Sequence, residues 1–300
     1  MKIFTYDQFT FPLPDSHRFP AEKYQLLREA VAAAQVVPPD DLIVPTPATT
    51  HQLRHAHSRE YLTKVENGRF SPSEIRRIGL PWSPELVVRC KHSVGATIAA
   101  CRVALKEGIA VTLGGGTHHA SYDAGEGFCI YNDAVAAART MQAEGRAQRI
   151  AIIDCDVHQG NGTAQITTDD DSIFTFSIHA EKNFPFHKIP SNLDIALPDD
   201  IEDEAYLRAL QPGIEQTLAQ AKPELVIYLA GADVFAGDRL GRLCLTKEGI
   251  GKRDRLALAH CWEAGVSVAV TMAGGYGRSI HETVAIQLQT VQIAATIQNL

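Results

Sequence analysis

Asp154, Asp156 and His158 stand at alternate positions directly after the apolar run Ile150-Ala151-Ile152-Ile153. In extended backbone alternate side chains share a face, so these three polar groups converge while Cys155 and Val157 point away. Two carboxylates held together raise each other's pKa, and a bound cation relieves that cost. The trio therefore reads as part of a metal site. An apolar run followed by glycine and a reactive side chain recurs three more times. Leu113 precedes Gly114-Gly115-Gly116-Thr117-His118-His119, Leu229 precedes Ala230-Gly231-Ala232-Asp233, and Met272 precedes Ala273-Gly274-Gly275-Tyr276.

Each of these segments has a plain structural explanation when taken alone. Asp233 can cap a helix, and Gly274-Gly275-Tyr276 can be a tight turn with a packed tyrosine. The glycine run at 114–116 lacks the G-x-G-x-x-G spacing of a dinucleotide site. All the plain explanations would have to hold at once, whereas one crevice accounts for every segment. Asp156, His158 and Asp233 would give oxygen, nitrogen and oxygen ligands with an open position for water, as catalytic zinc requires. Mixed N/O sets bind other transition metals too, Fe(II) among them. An activated water needs a general base, for which His118 or His119 is available. Tyr276 on its glycine turn can donate to an oxyanion.

Bringing these groups together requires parallel strands ending on one edge. Downstream of residue 108 the pattern alternates, predicting strands at 109–113, 150–153, 173–177, 225–229 and 266–272. Helices are predicted at 132–144, 205–218, 247–263 and 279–300. Upstream, a strand at 3–6, an ordered loop at 7–20 and a helix at 21–34 precede a short strand at 42–44. A helix at 58–65, an exposed basic loop around Arg69, Arg76 and Arg77, and a long helix at 85–106 follow. Such alternation predicts an α/β fold of three layers, α/β/α, around a central, mostly parallel sheet. Ligands then bind at the carboxyl ends of the strands. No repeat or linker divides the chain, so residues 1–300 read as a single catalytic domain. The acidic run 199–204 lies at a helix start, where the helix dipole favours it.

The formal net charge of −7 argues against a nucleic-acid surface, which needs clustered Lys and Arg. Six cysteines without a C-x-x-C pair read as reduced, mostly buried thiols of an intracellular protein. There is no signal-peptide core and no apolar stretch long enough to span a membrane, so a soluble cytoplasmic protein is expected.

The motifs Gly116-Thr117-His118-His119-Ala120, Gly127-Phe128-Cys129-Ile130-Tyr131-Asn132-Asp133, Asp154-x-Asp156-x-His158, Gly231-Ala232-Asp233 and Gly274-Gly275-Tyr276 resemble the zinc-dependent histone deacetylase family. The likeness runs from Ser16-His17-Arg18-Phe19-Pro20 to the Tyr276 turn and predicts the arginase/deacetylase fold. His158-Gln159-Gly160-Asn161-Gly162, Gly237-Asp238-Arg239-Leu240-Gly241 and Gly249-Ile250-Gly251-Lys252-Arg253-Asp254 look most like class IV. The resemblance implies zinc on Asp156, His158 and Asp233, and His119 as general base and acid. His118 would be its electrostatic companion, held by Asp154, and Tyr276 would polarise the amide carbonyl. Phe128 and Phe184 would wall the acyl-lysine tunnel, and the Gly127 carbonyl would receive the substrate amide. A structural potassium ion would lie against Asp154, Asp156, His158, Ser177 and Ile178.

Two departures stand out. Asn161 replaces the aspartate that many relatives place beside His119, which should leave His119 neutral near neutral pH. The turn Phe184-Pro185-Phe186 replaces the family's aromatic-Pro-Gly, which alters the pocket rim. The expected activity is removal of acyl groups from lysine side chains of a peptide or protein, with long fatty acyl chains favoured by the class IV likeness. Deacetylation of small acylated amines such as acetylpolyamines is the alternative. A non-catalytic acyl-lysine binder conflicts with the intact ligands and Tyr276. A binuclear manganese ureohydrolase would need further bridging carboxylates. The oligomeric state is not encoded in any recognisable segment.

Overall fold

Short β-branched and aliphatic runs build one eight-stranded sheet in the computed structural model, which describes residues 1–300. The chain order is β1 (Lys2–Phe4), α1 (Lys23–Ala33), β2 (Leu42–Ile43), α2 (Thr50–Leu53), α3 (Arg59–Glu66), α4 (Pro72–Ile78) and α5 (Pro84–Glu107). It continues with β3 (Ile109–Thr112), α6 (Asp133–Ala143), β4 (Ile150–Asp154), α7 (Asn161–Thr167), β5 (Ile173–Ala180) and β6 (Leu193–Leu197). It closes with α8 (Asp203–Ala221), β7 (Leu225–Leu229), α9 (Lys247–Glu263), β8 (Ser267–Thr271) and α10 (Ile280–Gln298).

Across the sheet the strands run β2-β1-β3-β8-β7-β4-β5-β6, and every neighbouring pair is parallel. Both faces are therefore covered, as an all-parallel sheet requires. On β4, Ala151 and Ile153 enter one core with Leu27, Leu210, Leu258 and Val291 from α1, α8, α9 and α10. Ile150 and Ile152 enter the other, with Tyr61, Ile98 and Val135 from α3, α5 and α6. Each fully buried aliphatic side chain contributes roughly 1.5–3 kcal/mol. The central strands, apolar on both faces, thus form a rigid platform whose carboxyl ends carry the reactive segments.

Four elements were not expected, among them the one-turn helix α2, which opens on a capping box between Thr49 and Gln52. Residues 69–77 are not a loop throughout, because α4 begins with a capping box between Ser71 and Glu74 and has a proline in its first turn. The S-x-x-E signature is legible in the sequence, but its basic residues draw the eye to exposure instead. The short helix α7 starts inside the glycine-rich turn, at Asn161. Strand β6 carries half-exposed alternate residues at the sheet edge, so it lacks the unbroken apolar run of a central strand. Its partner β5 runs on to Ala180, beyond the expected end at Ser177. The acidic run does more than begin α8: Asp203 accepts hydrogen bonds from the Thr246 backbone N–H and hydroxyl, at the N-cap of α9.

Candidate active site

The four strands that precede the reactive segments are neighbours, in the order β3-β8-β7-β4. Their carboxyl ends therefore open onto one crevice, the place where parallel sheets bind ligands. Asp156, His158 and Asp233 each bring a ligand atom within 4.8 Å of the others. Backbone amides fix their directions. Asp156 Oδ2 accepts from Gly274 N at 2.7 Å, and Asp233 Oδ1 accepts from Val157 N at 3.0 Å. His158 Nδ1 then lies 2.9 Å from Asp156 Oδ1 and 3.3 Å from Asp233 Oδ2.

The charges of this triad are those that could hold a cation. Asp233 Oδ2 is buried and accepts no hydrogen bond. Burial, and then the charge of Asp156, push the Asp233 carboxyl up to about 7. Burial alone would lower His158, but Asp156 and Asp233 together lift it to about 10. The glycine at 274 leaves the space open, since a Cβ there would stand 1.9 Å from Asp233 Oδ2 and 2.6 Å from Asp156 Oδ2. Two carboxylates and one imidazole neutralise a dication and suit zinc, with Fe(II) sharing the ligand preference.

The histidine pair sits beside the triad. Asp133, at the start of α6, accepts from the backbone N–H of Gly116 and Thr117 at 3.0 and 2.7 Å. This clamps the glycine turn that presents His118 and His119. His118 Nδ1 lies 2.6 Å from Asp154 Oδ2, while His119 Nδ1 lies 2.6 Å from Asn161 Oδ1. Their rings are 4.1 Å apart at the centroids. Burial would lower His118, but Asp154 and Asp156 outweigh it and raise it to about 9. His119 is held well below the ordinary value by burial first, then by His118 and His158. The neutrality expected of His119 thus comes chiefly from burial and its neighbours. The Asn161 bond acts in the opposite direction.

A cavity of about 560 Å³ reaches from the surface to these residues. Phe128 and Phe184 line it, with Phe184 packed edge-on to His119 at 4.9 Å between centroids and Phe128 at 5.7 Å from Tyr276. Gly127 (φ 55°) and Phe128 (φ 68°) are both left-handed. A Cβ on Gly127 would stand 2.6 Å from His119 Cδ2. Their amides donate to Arg77 O and Ile78 O, so the unexpected helix α4 sets this wall. Phe186 is 84 % exposed at the rim. Asp154 is the register partner of Ser177, followed by Ile178, and Ser177 Oγ lies 3.0 Å from His179 Nδ1. Three of the five residues expected around potassium, Asp154, Ser177 and Ile178, are therefore buried on adjacent strands, the first at the end of β4 and the others within β5.

Several supporting residues escaped sequence reasoning. Buried Lys23 donates to Gly275 O at 3.2 Å and lies 5.1 Å above the Tyr276 ring. Its spacing of four from Leu27 places it on the buried face of α1, a signal that its charge obscures. Asp238 accepts from Tyr276 N at 2.6 Å. Glu126 accepts from Asn161 Nδ2 at 3.1 Å. Arg253, fully buried on α9, donates to Cys155 O and Gly231 O, tying the ends of β4 and β7 together.

Residues 17–291 match the histone deacetylase domain, and the chain belongs to that family: it is a histone deacetylase-family hydrolase acting on amides. Among its relatives, a Picosynechococcus protein described as uncharacterized is 45% identical over 92% of this chain and 92% of its own. "Histone deacetylase 2" of Arabidopsis thaliana is 26% identical over 98% of this chain and 78% of its own, and the "Acetoin utilization protein AcuC" of Staphylococcus aureus 28% over 77% and 65%. A solved HDAC homolog complexed with SAHA superposes with a TM-score of 0.84 at 23% identity, covering 99% of this chain and 84% of that one. At that identity it shows the fold alone. No helix is long and apolar enough to cross a membrane.

Proposed function

We propose that this protein is a zinc-dependent amidohydrolase that removes acyl groups, acetyl or longer, from lysine side chains. One observation carries the reading: the buried Asp156–His158–Asp233 triad, His119 and Tyr276 all line the same phenylalanine-walled cavity. Zinc held by the triad would supply Lewis acidity, polarising the scissile carbonyl and making water more acidic. Neutral His119 takes a proton from the attacking water and returns it to the departing lysine nitrogen. The water oxygen joins the acyl carbon, the C–N bond breaks, and a carboxylate and a free amine result. His118, charged and paired with Asp154, supports the site electrostatically. The Tyr276 hydroxyl donates to the carbonyl oxygen as negative charge develops there. Gly127 O would accept the substrate amide N–H, and Phe128 and Phe184 would flank the lysine stem. Potassium beside Asp154, Ser177 and Ile178 belongs to the same proposal.

Longer acyl chains, the refinement drawn from the class IV likeness, have support in the cavity's lining. It includes Tyr6, Phe11, Leu86 and Tyr131 in addition to the triad, so apolar surface is available to a hydrocarbon chain. Metal analysis joined to an acyl-chain panel on lysine peptides tests the reading. Stoichiometric zinc, turnover lost on chelation, and a preference for myristoyl over acetyl are expected. Tyr276→Phe should keep its zinc and lose about 100-fold or more in kcat. Turnover that survives chelation would overturn the mechanism, and better turnover of acetyl than myristoyl would remove the long-chain refinement.

A further inference from the structure

We infer that the cavity mouth selects acyl-lysines set among acidic residues; this rests on the lysine-deacylase reading above. Six cations from separate segments gather there. Arg18 comes from the N-terminal loop, Arg76 and Arg77 from the last turn of α4, and Lys182 from the turn after β5. These four and Arg242 line the cavity, and Arg239 borders its mouth beside Arg18 and Tyr276. The rest of the chain is acidic enough to give a net charge of −7, so the mouth runs against the molecule's overall sign.

Few of these charges are neutralised. Arg242 and Lys182 share one carboxylate, Asp199, at 2.9 and 4.0 Å. Arg239 donates to the Tyr276 carbonyl at 3.0 Å, and Arg18 lies over the Phe128 ring at 5.1 Å. Both contacts orient a guanidinium without cancelling its charge. Arg76 and Arg77 are exposed. The cavity's carboxylates are Glu126, Asp156 and Asp233; two are ligand candidates, and Glu126 accepts from Asn161. A lysine-rich tail or a polyamine would therefore meet like charge at the entrance, whereas aspartate or glutamate flanking the acyl-lysine would meet unpaired guanidinium groups. Rim charges act mainly on encounter rate and discrimination, and salt screens them.

The test uses the zinc-loaded protein and three peptides with one acyl-lysine, flanked by Asp/Glu, Gly/Ser or Lys/Arg. Turnover and binding by fluorescence anisotropy are measured together. The acidic peptide should exceed the basic one in kcat/KM by about tenfold or more at low salt, with the gap closing near about 1 M salt, where the Debye length is about 3 Å. Arg76→Glu/Arg77→Glu should level or invert the ranking of the three peptides in kcat/KM and in anisotropy. Lys182→Glu provides the same reversal outside α4, should that helix not tolerate the double change. Equal values for the three peptides, or a ranking untouched by charge reversal, would overturn the inference. A protein that turns over none of them removes the deacylase reading instead, and the anisotropy ranking still decides the rim.

Discussion

His119 is oriented by a neutral side chain, and the structure places a charge one step further out. Its Nδ1 meets Asn161 Oδ1, and Asn161 Nδ2 meets Glu126 Oε2. A carboxylate polarises the amide between it and the ring, so part of the charge absent at position 161 is supplied from position 126. A hydrogen bond to a charged group is worth about 1 kcal/mol more than one between neutral groups, so Glu126→Gln should lower kcat about fivefold with KM unchanged. Steady-state kinetics on the neutral peptide would check it, and an unaltered kcat would leave Glu126 a rim residue only. The neighbouring Asp154→Asn variant should impair turnover more than zinc affinity, because Asp154 Oδ2 meets His118 while its Oδ1 touches the triad only at the Asp156 backbone N–H, which an amide oxygen also accepts. Complete loss of zinc in that variant would refute the division.

At the scale of elements, the site depends on helices that do not touch substrate. Arg253 on α9 bonds the Cys155 and Gly231 carbonyls, one residue from Asp156 and two from Asp233. Its charge is balanced by Asp254 at 2.8 Å, which also accepts from Tyr228 and Thr290. Removing one member of a buried pair leaves the other uncompensated, so Arg253→Met should cost about 3–5 kcal/mol. Replacing both, Arg253→Met with Asp254→Leu, should recover part of that loss. Urea midpoints for the two variants give the comparison, and an equal loss in both would mean the guanidinium matters only for the carbonyls it holds. Helix α4 acts similarly on the tunnel wall, through the amides of Gly127 and Phe128.

For the whole molecule, buried neutral histidines set an acid limit. His57 accepts from Asn132 N and bonds Ser121 O, bracing the loop between the histidine pair and α6. Burial lowers it from 6.5 to about 4, and burial likewise lowers His179 to about 4. A histidine depressed in the folded state contributes full stability above the unfolded value, and loses it as the pH falls from 6.5 toward 4. The shift at His57 corresponds to about 3 kcal/mol. Asp233, pushed up to about 7, and Asp154 and Asp238, all raised by burial, act in the opposite direction by taking up protons in the folded state, so the histidine contribution is read by difference. His57→Gln should be lower in Tm at pH 7.5. Thermal unfolding between pH 7.5 and 4.5 should show the Tm advantage of the protein over His57→Gln shrinking as the pH falls, and a constant gap would refute the assignment.

The sequence alone marked the segments that line the crevice and determined what kind of sheet presents them. Apolar runs ending in glycine and a polar residue are local patterns, and a central parallel strand is apolar on both faces whatever surrounds it. It also separated Asp154 from the triad, through the likeness carried by its motifs. Only the tertiary structure brought β3, β8, β7 and β4 side by side, because strand order depends on non-local packing that leaves no trace in spacing. The roles of Lys23, Glu126, Asp238 and Arg253 were hidden for the same reason. A charged side chain reads as solvent-facing until the fold supplies its partner. The opening trio Asp154, Asp156 and His158 thus became a pair, completed from β7 by Asp233, with Asp154 turned toward His118.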